Sequence, residues 1–122
     1  MTDALDLRPS VILPDWPAPA NVGAFVTTRE SGPSQGPYAA FNTASHVGDK
    51  PEHVSLCRRQ LGKEIGDERP LLWLDQVHGA SVQHGWCDET PKADAAVATT
   101  RDYACVVMTA DCLPVFFCDR SG

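Results

Sequence analysis

Two short stretches place an ionisable, metal-competent side chain in a turn just after an apolar run. In Gln76-Val77-His78-Gly79 the imidazole follows Leu71-Leu72-Trp73-Leu74. In Thr109-Ala110-Asp111-Cys112-Leu113-Pro114 the thiol follows Cys105-Val106-Val107-Met108. Strand ends are where the backbone leaves a sheet and a side chain can face a cleft. A nitrogen and a sulfur donor suit zinc, which takes both in tetrahedral geometry, and they do not exclude copper. Zinc takes more than two protein ligands, so His78 and Cys112 leave the set short. The same pair fits a metal-free chemistry, with Cys112 as nucleophile and His78 as its base.

Residues 29–48 form a long Gly/Pro/Ser-rich stretch beginning Arg29-Glu30-Ser31-Gly32-Pro33-Ser34. Loops of this length inside a compact fold are usually functional. The planar fork of Arg29 suits an anion such as phosphate; the alternative is an ordinary surface arginine. Asn42 offers hydrogen bonds, and His46 can move a proton near neutral pH. Locking the loop is the competing role for both.

The elements that must position these residues follow from periodicity. Pro9, Pro14, Pro17 and Pro19 predict irregular structure up to about residue 20. Val22–Thr28 reads as a strand. Asp49 is the expected N-cap of a helix, with Glu52 completing a capping box, Val54, Cys57 and Leu61 forming its apolar stripe and Gly62 ending it. Strands are expected at 71–77, 81–86, 94–99, 104–109 and 114–118, the last two buried on both faces because they alternate weakly. One helix among several strands predicts an α/β or α+β fold with a mixed sheet.

Composition bounds the rest. The chain has 122 residues, 43% apolar and 21% charged, which describes a globular protein of one domain. A net charge of -6 argues against nonspecific nucleic-acid binding. The doublet Arg58-Arg59 is explained by a solvated helix face. The acidic start and the lack of a long apolar run predict neither a signal peptide nor a membrane span, hence a cytoplasmic protein. Five cysteines at 57, 87, 105, 112 and 118 include no Cys-x-x-Cys pair, so neither a disulfide framework nor a closed zinc knuckle is expected. Cys57, Cys105 and Cys118 read as small buried hydrophobes.

Six motifs occur in one order: Thr27-Thr28-Arg29 with Ser34-x-Gly36-Pro37-Tyr38, Phe41-Asn42, His46-Val47-Gly48-Asp49, Gln76-Val77-His78-Gly79, Ala93-Asp94-Ala95 and Thr109–Pro114. Together, from about residue 22 onward, they resemble the YfiH-like family, also called laccase-domain or multicopper polyphenol oxidase proteins. The resemblance implies a purine nucleoside phosphorylase with adenosine deaminase activity; family members are also described as peptidoglycan editing factors. It implies purine nucleosides and phosphate as partners, and zinc, or copper under the oxidase label, as cofactor. His78 and Cys112 would be metal ligands, whereas His46, His53 and His84 show no family register as ligands. Arg29, Asn42 and His46 would be catalytic, with Arg29 cradling phosphate and Asn42 bonding base or ribose. Two departures stand out. Ser31-Gly32 replaces the usual Gly-Gly pair, and the family's His-Ala-Gly-Trp-Arg-Gly segment, whose histidine completes the metal set, does not occur before Gly122. The expectation is that 1–122 is the N-terminal half of a longer YfiH-like domain, its site incomplete or, as an isolated piece, inactive.

Overall fold

The computed structural model describes residues 8–66 and 68–122. The expectation of irregular structure at 1–7 lies outside them. Six short strands and one long helix follow in the order β1 (Val11–Ile12), β2 (Val26–Thr27), α1 (Pro51–Ile65), β3 (Leu71–Leu72), β4 (Val82–His84), β5 (Ala95–Val97) and β6 (Ala104–Cys105). They make three two-stranded ladders: β1 with β2 antiparallel, and β3 with β6 and β4 with β5 parallel. This is the mixed α/β architecture expected.

The run Leu71-Leu72-Trp73-Leu74 shows why the core divides in two. Successive side chains of an extended chain point to opposite faces. Leu72 and Leu74 enter one cluster with Ala93 and Tyr103. Leu71 and Trp73 pack on the other side, against Phe41, Cys57 and Leu61. A segment covered on both faces needs no polar alternation. Helix α1 supplies Cys57 and Leu61 to the second cluster, and Val54 on the same stripe is also buried.

The ends of α1 differ from expectation. Lys50, not Asp49, is the N-cap residue, and no side chain caps it. Asp49 is taken by other donors, and Pro51 at the first helical position brings a preset φ with no N–H to satisfy. Gly62 lies within the helix, which stops at Gly66 with φ 88°. Arg58 is no solvated residue: its Nε donates to the Thr43 carbonyl at 2.8 Å, and its guanidinium lies 4.0 Å from the Trp73 ring centroid.

The strands are shorter than periodicity predicted, and β1 arises inside the proline-rich start because Val11 and Ile12 find Thr27 and Val26 as partners. The segment 114–118 joins no ladder. It keeps a period of two, with Leu113, Val115 and Phe117 exposed at 88%, 67% and 89%, while the Phe116 ring sits 6.1 Å from that of Trp16. Cys105 and Cys118 are exposed, not core. Among the described ladders β6 pairs only with β3, and Cys118 belongs to the unpaired segment. Cys57 is fully buried, as expected. No helix among the described residues is long and apolar enough to cross a membrane.

Candidate functional site

Parallel pairing of β3 with β6 sends both chains out of the sheet at the same end. Leu71 lies opposite Ala104 and Leu72 opposite Cys105. Counted forward in that register, His78 is level with Asp111, the neighbour of Cys112. The carboxyl end of parallel strands is the usual place for a site in α/β sheets. Both His78 and Cys112 are exposed there.

The turn bearing His78 is built by a carboxylate. Asp94 accepts hydrogen bonds from three successive backbone N–H groups: Val77 at 3.0 Å, His78 at 2.8 Å and Gly79 at 2.7 Å. His78 has φ 57°, the left-handed region. The Gly79 bond, offset by some desolvation and joined by those from His78 and Val77 and by the imidazole's charge, holds the Asp94 carboxyl below its usual range. The two chemistries differ in what they need from Cys112: a metal stabilises the thiolate, whereas a nucleophile needs its base in reach. Among the described residues no three His, Cys, Asp or Glu side chains converge as a metal site. The donor types at His78 and Cys112 suit zinc, and the pair remains short of a closed set.

The 29–48 loop is knitted to itself. Arg29 donates through Nε to the Ala39 carbonyl at 2.7 Å and through Nη2 to that of Pro37 at 3.2 Å. Tyr38 donates to the Val47 carbonyl at 2.7 Å. Gly32, at φ 153°, faces the Ala40 carbonyl and the Phe41 ring so closely that a Cβ would lie 2.5 Å from the former. The second glycine of the family pair is therefore needed here. Ser31 at the first position instead donates outward to the Arg8 carbonyl at 2.6 Å. Asn42 closes a local turn, its Oδ1 accepting from the Ala44 N–H at 3.1 Å and its Nδ2 donating to the Ala44 carbonyl at 3.2 Å. His46 is exposed in the following turn.

A buried joint ties this loop to α1. The Asp49 side chain is only 3% exposed. It accepts from Ser34 Oγ at 2.8 Å, Asn42 Nδ2 at 3.2 Å and the Lys50 N–H at 2.8 Å, with His53 Nδ1 at 3.8 Å. Ser34 Oγ also lies 3.5 Å from the sulfur of fully buried Cys57. Burial alone would raise the Asp49 pKa; the bonds from Ser34, Asn42 and Lys50, with the charge of His53, outweigh it and lower the value. Sequence reasoning placed Asp49 at a helix cap and gave Ser34 and Asp94 no role of their own. The available signals were Ser34 inside the long loop, Asp49 immediately after it, and a lone Asp94 between alanines at a strand start.

Both carboxylates titrate below their unfolded-state value of about 3.9. Their contribution to stability is therefore complete at neutral pH and is lost as pH falls through the folded-state values. We expect the 29–48 loop and the His78 turn each to lose order on acidification below about pH 4. Amide NMR signals of Ser34, His78 and Gly79 unchanged down to pH 2 would contradict this.

Comparison with known proteins adds to this geometry. Residues 23–122 match the family model described as multi-copper polyphenol oxidoreductase laccase. A purine nucleoside phosphorylase of Pseudomonas aeruginosa is 49% identical over 111 residues, covering 91% of this chain and 45% of that protein. Purine nucleoside phosphorylase YfiH of Escherichia coli is 42% identical over 114 residues, covering 92% and 47%. The crystal structure of a Neisseria meningitidis protein superposes with a TM-score of 0.85 at 47% identity, covering 92% of this chain and 46% of that one. The chain thus spans about half the length of the curated relatives it matches.

Proposed function

We propose, from the premise that this chain belongs to the multi-copper polyphenol oxidoreductase laccase family, that the full-length protein is a purine nucleoside phosphorylase with adenosine deaminase activity. The observation that carries the phosphorylase reading is the 49% identity, across nine-tenths of the chain, to a relative named a purine nucleoside phosphorylase; the deaminase activity rests on the motif resemblance alone. In this reading residues 1–122 are the N-terminal half of one YfiH-like domain acting in the cytoplasm on purine nucleosides and phosphate.

His78 and Cys112, at the common end of β3 and β6, would hold a zinc ion, with a further ligand required from outside the described residues. Zinc supplies Lewis-acid polarisation at the reacting group. The chain's own residues do the rest. Arg29 keeps its exposed guanidinium beside the loop it holds and attracts phosphate there. Asn42, whose amide closes the Ala44 turn, would hydrogen-bond base or ribose. His46, exposed one turn further on, carries a proton to or from the substrate.

The test is made on the full-length protein. Cys112→Ala and His78→Ala are each expected to reduce zinc content well below wild type, and inosine with phosphate is expected to be turned over by the wild type alone. Unchanged zinc in Cys112→Ala would remove it from the ligand set; copper in place of zinc would favour the oxidase chemistry. Arg29→Ala separates the two roles of that side chain. Loss of a charged contact of about 1.5–3 kcal/mol lowers phosphorolysis roughly ten- to hundredfold while sparing phosphate-free deamination. An equal fall in both activities assigns Arg29 to holding the loop through Ala39 and Pro37.

A further inference from the structure

We infer that Asp94 is the positioning residue for His78: its carboxylate sets the backbone of the 76–79 turn and, through it, the direction from which the imidazole meets a metal ion. The inference rests on His78 being a ligand and names what makes it one.

Three consecutive N–H groups that face one acceptor require the backbone to curl into an anion-binding concavity. The bonds from Val77, His78 and Gly79 to Asp94 have that form, and His78 at φ 57° supplies the left-handed step. That region is disfavoured for any residue with a Cβ. Returning His78 to negative φ would rotate the peptide N–H groups away from Asp94 and swing the Cα–Cβ bond. The carboxylate therefore selects one direction of the Cα–Cβ bond, from which the imidazole projects. Its own position is firm, because the Asp94 N–H donates to the Ser81 carbonyl at 3.1 Å and the next residue begins the β4–β5 ladder at Val82↔Ala95. The turn is thus fastened to a strand, not to another loop. A carboxylate suits the task, with two acceptor oxygens for three donors; an amide has one and turns a donor toward the same N–H groups.

The experiment measures zinc affinity of the full-length protein by competition with a chromophoric chelator. Asp94→Asn is expected to weaken zinc roughly ten- to hundredfold, the range for residues that orient a metal ligand. Asp119→Asn is the control: Asp119 clips a turn in the same way, accepting from Ser121 N and Oγ at 2.7 Å each, and its loss should leave zinc affinity unchanged. In a His78→Ala background, Asp94→Asn should weaken zinc no further. Wild-type affinity in Asp94→Asn, or an equal extra loss in the His78→Ala background, overturns the inference while leaving His78 as ligand. Wild-type affinity in His78→Ala overturns both. Should Asp94→Asn fail to fold, hydrogen exchange on the unsubstituted protein decides: the amides of Val77, His78 and Gly79 should exchange slowly although the turn is exposed, and rapid exchange at all three overturns the inference.

Discussion

Leu72→Ala should remove about 3 kcal/mol of folding free energy. Leu72 is 1% exposed and packs in the cluster with Leu74, Ala93 and Tyr103. Truncating it removes the transfer energy of its methyl groups and leaves a cavity that a strand paired on one edge and packed on both faces cannot close. Against a typical total of about 5–15 kcal/mol the loss is severe, and it should lower the melting midpoint by on the order of 10 °C. Val115→Ala, at a side chain 67% exposed, should change stability by less than about 0.5 kcal/mol. Chemical denaturation of both variants checks the pair; a loss below about 1 kcal/mol for Leu72→Ala would mean that the two-faced packing of β3 is wrong.

Asp49→Ala should be the most damaging polar substitution among the described residues. It strands the Ser34 hydroxyl, 3% exposed, with only the Cys57 sulfur for company, and removes the side-chain acceptor of the Lys50 N–H and one of the two acceptors of Asn42 Nδ2. Leaving such donors unmet costs about 1–3 kcal/mol. The effect should be local as well as global, because the same carboxylate joins the 29–48 loop to α1. Limited proteolysis should cut Asp49→Ala within 29–48 under conditions that spare the wild type. Equal resistance in the two proteins would show that Arg29 and Tyr38 hold the loop without the joint.

What the sequence discloses depends on how local its cause is. The stripe Val54, Cys57 and Leu61 is a property of one helix, and it packs as its spacing predicts. The ends of the apolar runs at Leu74 and Met108 are likewise local, which is why His78 and Cys112 are recognisable as side chains leaving a sheet. The features that escaped have partners far along the chain. β1 exists because Val11 meets Thr27, and Asp49 abandons its cap because Ser34 and Asn42 reach it first. Asp94 shapes a turn fifteen to seventeen positions before it. Cys105 and Cys118 sit in apolar runs yet lie exposed, since an apolar run is core only where another layer covers it.

The row Leu113, Val115 and Phe117 has a consequence for how the chain behaves among its own copies. An extended segment outside any ladder, with large apolar groups on one side, is a template for edge-to-edge pairing between molecules. A net charge of -6 opposes such encounters. Salt shortens the reach of that repulsion to about 8 Å at physiological ionic strength, whereas apolar contact is untouched by screening. Raising the ionic strength of a concentrated solution should therefore favour self-association through this row.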